Sequence, residues 1–138
     1  MRIAVVGAGA MGSTLGGLLA LGGAQMTFFD PFVEHMERIE QSGLELKVNG
    51  ESHRITGIHA NTFSAEQQPL DLILVMVKGG DTINAMERAS GLIGPDTVVA
   101  SFQNGLGNTE KLRTYFAEDR ILYGCDNITG KLAAPGAV

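Results

Sequence analysis

Tryptophan is absent from the 138 residues, and cysteine occurs once, at Cys125. A single thiol excludes an internal disulfide framework and fits a reducing, cytoplasmic setting. Proline is scarce, with four residues against 19 glycines. The glycines follow no Gly-X-Y period, which excludes a collagen-like rod. Tight turns and close backbone approaches must account for them instead. Basic charge is in deficit: 10 Lys and Arg against 15 Asp and Glu leave a net charge of −5. A nucleic-acid partner wants a basic face, so none is expected. No apolar run approaches the roughly 20 residues of a membrane span, so no membrane partner is expected either. The apolar stretch after Arg2 imitates a signal peptide, but glycines at 7, 9 and 12 explain it better. His35, His53 and His59 are scattered, with no Cys or carboxylate at ligand spacing, which predicts surface roles and no metal.

What is present reads as a single globular domain over residues 1–138, with 44% hydrophobic and 18% charged residues. Ile3-Ala4-Val5-Val6 is a buried strand bounded by glycine. Met11, Leu15, Leu18 and Leu19 then recur at helical spacing, and Gly22-Gly23 stops that helix. Residues 24–29 form a second strand ending at Asp30. Pro31 suits the first turn of a helix with Phe32, Met36 and Ile39 on one side. Residues 44–58 alternate around Asn49-Gly50, the signature of a hairpin, read as a surface insertion. Its return arm runs from Ser52 to Ile58.

The run from Leu70 to Val77 is almost wholly apolar, as a strand buried on both faces should be. A helix from Gly80 or Asp81 to about Ile93 follows, then a strand over residues 97–102. Gly105–Gly107 leads into a helix carrying Leu112, Tyr115 and Phe116, and Ile121-Leu122-Tyr123 starts the final strand. Cys125 falls in that strand as a small buried residue. The order β-α-β-α, hairpin, β-α-β-α-β predicts an α/β chain with a doubly wound, mostly parallel sheet, the Rossmann fold with an inserted β-hairpin.

Gly7-Ala8-Gly9-Ala10-Met11-Gly12 matches G-x-G-x-x-G between a predicted strand and a predicted helix, where the dinucleotide fingerprint belongs. Gly7 suits the tight turn, Gly9 the approach of backbone to a pyrophosphate, and Gly12 close helix–strand packing. The N–H groups near Ala10 and Met11 would then meet the phosphates. Asp30 stands 18 residues past Gly12, near the place of the acid that binds the adenine ribose. A carboxylate there repels a 2′-phosphate, so the cofactor is NAD(P)H with NADH favoured. The alternative for Asp30 is a helix cap before Pro31.

Ligands of such sheets bind beyond the carboxyl ends of the strands. Lys78 follows one strand end directly, and Gln103-Asn104-Gly105-Leu106-Gly107-Asn108 follows another. A lysine and an amide there could hold a substrate carboxylate or polarise a carbonyl. The plainer readings are a solvated lysine and a turn at Asn104-Gly105.

With Val77-Lys78-x-x-Asp81-Thr82, the Gln103–Asn108 segment and Thr129-Gly130-x-Leu132-x-x-Pro135-Gly136-x-Val138, the whole chain resembles the ketopantoate reductases. The resemblance implies an NADPH-dependent reduction of a branched 2-keto acid, the small-molecule substrate, to a 2-hydroxy acid. It places Lys78 and Asn104 as catalytic residues beside the nicotinamide ribose and substrate, with Gln103 and Gly105 near the cofactor. Two positions depart from the family. Asp30 stands where groups tolerating a 2′-phosphate are common, and Gly79-Gly80 replaces bulkier residues. The family's proton donor is a lysine on a second, helical domain, which the chain lacks up to Val138, and the turn at Pro135-Gly136 should lead onward. This part alone is therefore expected to bind cofactor, to turn over substrate negligibly, and to self-associate, as a homodimer, through surface that a partner domain would cover. Another hydroxyacid dehydrogenase and a non-catalytic dinucleotide-binding module are the competing readings.

Overall fold

Apolar runs become the central strands because both their faces are covered. The computed structural model describes residues 1–63 and 68–138. In β1 (Arg2–Val6) four successive residues, Ile3 to Val6, are buried. The chain continues through α1 (Ala10–Leu21), β2 (Gln25–Phe29), α2 (Val33–Ser42), β3 (Leu44–Val48), β4 (Glu51–Ile55) and β5 (His59–Asn61). It then forms β6 (Leu72–Val75), α3 (Thr82–Arg88), β7 (Val98–Ser101), α4 (Asn108–Leu112) and β8 (Ile121–Tyr123). Six strands form one parallel sheet in the order β5-β2-β1-β6-β7-β8. Ile3 sits opposite Met26 on one side and Leu72 on the other. The strand order reverses between β1 and β6, and that switch is where such sheets open a binding crevice.

Alternate residues of each strand feed opposite faces. Val5, Phe28 and Leu74 pack with Met36, Ile39, Leu44 and Leu46 on one face. Val6, Ile73, Val75 and Val99 pack with Met86, Leu92, Leu112 and Phe116 on the other. Helix α1 meets the first face through small residues. A Cβ at Gly16 would lie 2.5 Å from the Phe28 ring, and one at Gly17 would lie 2.8 Å from a Leu44 methyl.

That contact corrects the reading of the hairpin. β3 and β4 pair around Asn49-Gly50 as a separate two-stranded sheet, the inserted hairpin expected, but one of its faces belongs to the core and not to the surface. Leu44 and Leu46 are fully buried and Ile55 nearly so. The return arm also ends at Ile55, three residues early, because Gly57 (φ +80°) turns the chain toward the sheet edge. There β5 pairs with β2 as a strand of only three residues, which the sequence pattern does not reveal. Helix α3 stops at Arg88, and Ser90–Leu92 continues as one 3₁₀ turn, since Ser90 and Gly91 are weak helix formers. Cys125 lies beyond β8 and is exposed, not buried in a strand.

Residues past β8 return over the carboxyl ends of the strands. The Pro135-Gly136 turn lays its residues against the free edge of β3. Glu45 N–H donates to Gly136 O at 2.8 Å, Lys47 N–H to Val138 O at 2.8 Å, and Val138 N–H to Glu45 O at 2.9 Å.

Candidate functional site

The glycine loop leaves β1 in a shape that only some of its glycines require. Gly7 has φ +95°, and a Cβ there would lie 2.6 Å from Val77 N and 2.8 Å from Met76 C. Its N–H donates to Phe29 O at 2.8 Å, and the Ala8 N–H to the same oxygen at 3.2 Å. Gly12 is pressed against the Gly7 carbonyl and a Val5 methyl. Gly9 differs. Its φ of −71° suits any residue, and a Cβ on it would meet nothing within 4 Å. Neither backbone strain nor packing against the described residues calls for glycine there. Helix α1 begins beside it with no side-chain cap and no acidic residue in its first turn. The N–H groups of Ala10, Met11 and Gly12 have no partner among the described residues. Open space at Gly9 and unpaired donors at a helix start fit the pyrophosphate of a dinucleotide.

Two adjoining cavities lie over the topological switch. The larger, about 710 Å³, is lined by Gly7, Gly9, Ala10, Met11, Gly12, Asp30 and Lys78, together with one face of α3. The second, about 430 Å³, is lined by Lys78, Gln103, Asn104, Asp126 and Gly130 among others. Met11, Met76, Val77 and Lys78 line both, so the two form one groove. Gly130 closes over the helix start, with its N–H 3.0 Å from Met11 Sδ.

Most of the sequence-predicted residues meet at this groove, but Ala8 and Gly105 do not line it. Ala8 is fully buried beneath the loop. Gly105 is exposed, and the Asn108 amide donates to its carbonyl at 3.3 Å. Asp30 is not the helix cap, since Phe32 holds that position and α2 has no side-chain cap. One carboxylate oxygen accepts the Phe32 N–H at 2.9 Å, and the side chain still lines the larger cavity. Lys78 is exposed, and while its carbonyl accepts the Asp81 N–H at 2.8 Å, its side chain makes no hydrogen bond or ion pair among the described residues. Gln103 is committed to the protein itself. Its amide nitrogen donates to Val77 O at 2.6 Å and to Thr82 Oγ1 at 2.9 Å, and its oxygen accepts from Ser101 Oγ at 2.9 Å. Gln103 thus ties together the loops after β6 and β7 on either side of Lys78. At Gly79 a Cβ would come 2.7 Å from Asn108 Oδ1, which accounts for the small residue there.

His35 is the clearest departure from expectation. It is fully buried, where a surface position was predicted. The sequence reading also missed the far wall of the larger cavity. Asp81, Asn84, Ala85 and Arg88 line it, and their helical spacing is legible in the sequence. Phe63 lines it too, stacked on Phe29 at 5.0 Å with the Arg88 guanidinium 4.6 Å above its ring. Phe63 had no signal, because it falls between the predicted hairpin and the predicted strand that begins at Leu70. Among the described residues no group of three His, Cys, Asp or Glu side chains could hold a metal, and no helix is long and apolar enough to cross a membrane.

The family model for "Ketopantoate reductase PanE/ApbA" matches residues 3–138. A 2-dehydropantoate 2-reductase of Lactococcus lactis is 32% identical over 139 residues, covering 99% of this chain and 44% of that protein. One from Halobacterium salinarum is 33% identical, covering 100% and 45%. Among solved structures, the putative 2-dehydropantoate 2-reductase of Enterococcus faecalis superposes with a TM-score of 0.91 at 32% identity, covering 99% of this chain and 44% of that one. D-mandelate dehydrogenase in a ternary structure with NADH and anilino(oxo)acetate gives the same TM-score at 29% identity and the same coverage. The chain spans less than half the length of these relatives. With its glycine loop, parallel sheet and paired strand-end loops matched along almost its whole length, the chain belongs to the ketopantoate reductase family.

Proposed function

We propose that this chain is the dinucleotide-binding part of an oxidoreductase that reduces a branched 2-keto acid, of the ketopantoate type, to the 2-hydroxy acid. The observation that carries the reading is the single groove with the glycine loop at one end and Lys78 and Asn104 at the other. The nicotinamide, when bound, supplies the hydride. The N–H groups at the start of α1 hold the pyrophosphate, and Asp30 accepts from the adenine ribose hydroxyls. Lys78 offers a positive charge to the keto-acid carboxylate or carbonyl, and the Asn104 amide orients the same group. Gln103 keeps both loops in register through its bonds to Val77, Thr82 and Ser101.

NADH is the preferred cofactor in this reading, since the Asp30 carboxylate repels a 2′-phosphate. The mandelate dehydrogenase neighbour, bound to NADH, supports the same preference. Asp30→Ala is expected to weaken NADH binding by about tenfold and to erase discrimination against NADPH. Fluorescence titration reads both, and equal affinities of the parent chain for NADH and NADPH would sink the assignment.

The chain covers under half the length of its relatives, and these 138 residues are expected to bind cofactor but to turn over ketopantoate at a negligible rate. Robust NAD(P)H oxidation by the purified chain would overturn that expectation. The likeness to D-mandelate dehydrogenase favours a second reading, a wider 2-keto-acid specificity. A panel of branched and aromatic keto acids on the complete gene product separates the two. Leu122 and Tyr123, exposed on edge strand β8, support self-association as a homodimer, which light scattering checks.

A further inference from the structure

We propose that Ser13 and His35 are a positioning pair that holds the glycine loop in its phosphate-binding shape and couples it to the returning segment 134–138. This rests on the dinucleotide reading above. Both residues are fully buried, one on the first turns of α1 and the other on α2. Neither lines the groove. Ser13 Oγ donates to Ala8 O at 2.7 Å and lies 3.0 Å from His35 Nε2. On the other side of the ring, the Gly136 N–H donates to His35 Nδ1 at 2.8 Å.

These contacts assign the ring's tautomer. Nδ1 accepts, so the proton sits on Nε2 and is donated to Ser13 Oγ. The serine's own proton goes to Ala8 O. The result is one directed relay, Gly136 to His35 to Ser13 to Ala8, with each polar atom in a single role. A serine hydroxyl is otherwise a free rotor, and the histidine leaves it one orientation. The Ala8 peptide is consequently fixed from both ends, since its N–H already donates to Phe29 O. The next residue is Gly9, the loop glycine at which an added Cβ would meet nothing within 4 Å.

The relay requires a neutral ring. Burial disfavours the imidazolium, while the nearby Asp30 carboxylate and the Ala8 carbonyl pull the other way; the outcome is a pKa below the usual histidine value of 6.5. No ionisable side chain faces it from α1 or from residues 133–138. Glu34, Glu37 and Arg38 share its helix but are exposed, Glu45 lies across the returning segment on β3, and the Phe32 ring stacks on it at 5.9 Å. A proton added to Nδ1 would set two donors face to face at Gly136. A base whose native pKa is lowered contributes fully above its ordinary value, and the contribution fades as pH falls below it.

The test is NADH titration of the 138-residue chain with Ser13→Ala, His35→Leu and His35→Gln, alongside adenosine, which carries no phosphate. The parent is expected to hold its affinity from neutral pH down to about 6.5 and to lose it several-fold as pH is lowered further, over the range in which the chain stays folded. Ser13→Ala and His35→Leu should bind NADH about tenfold more weakly at neutral pH, with adenosine affinity unchanged. Ser13→Ala should also flatten the pH profile. His35→Gln, which keeps a donor toward Ser13, should recover most of the loss. A purely structural role would weaken adenosine in parallel, and that result overturns the proposal. So does a flat parental pH profile, which needs no variant to fold. A parent chain that fails to bind NADH at any pH overturns the dinucleotide reading itself, and the positioning role with it.

Discussion

Gly9→Ala is expected to leave the fold intact while removing at least nine-tenths of the affinity for NADH. The backbone at Gly9 has φ −71° and ψ −155°, which alanine adopts without strain, and the added methyl meets nothing within 4 Å. The melting temperature should therefore stay within about 2 °C of the parent. The methyl would instead occupy the space where a pyrophosphate must approach the α1 N–H groups, and displacing an anion from such donors costs at least tenfold. Gly7→Ala gives the opposite pattern. There φ is +95° and the new Cβ would sit 2.6 Å from Val77 N, a backbone atom that cannot step aside. The cost is about 2–4 kcal/mol from strain and overpacking. Chemical denaturation and NADH titration, run on both variants, separate a glycine kept for the ligand from one kept for the fold. A Gly9→Ala chain that binds NADH like the parent would remove the main support for the site.

Leu46→Ala is expected to cost about 2–5 kcal/mol. The total stability of a domain this size is about 5–15 kcal/mol. Leu46 is fully buried, with a methyl 3.2 Å from where a Cβ on Gly17 would stand. Its neighbour Glu45 is exposed on the other face of the same strand, and Glu45→Ala should stay within about 0.5 kcal/mol of the parent. Urea unfolding curves of the two variants measure the difference. A decorative hairpin would give two small numbers, so a loss under about 1 kcal/mol at Leu46 refutes its place in the core.

The legible parts of this chain are those in which local pattern and final environment agree. β1, β6 and β7 are mainly apolar runs because both their faces are covered, and the glycine loop is recognisable because it sits directly between such a run and a helical pattern. Asp30 was legible for the same reason, at the end of β2. The failures share a different cause. β5 has one buried apolar residue, Ala60, and exists through pairing with β2. The hairpin's alternation is correct, but alternation does not say what its apolar face will meet, and that face meets α1. His35 is buried by a donor at Gly136, 101 residues away, and no window around α2 contains that information. Gln103 lines the groove as its place after β7 suggests, but its three hydrogen bonds to Val77, Thr82 and Ser101 join residues far apart in sequence and are invisible in any local window.

The pairing of segment 134–138 with β3 also sets an order of events during synthesis. Lys47 and Val138 bond to each other across about 90 residues of sequence. A ribosome adding roughly 5–20 residues per second leaves roughly 5–20 s between their appearances. Throughout that interval the nascent chain can already hold β1, β2 and the glycine loop, yet the edge of β3 is bare and the His35 ring lacks the donor that orders its proton. The groove at the start of α1 is therefore translated early and completed late.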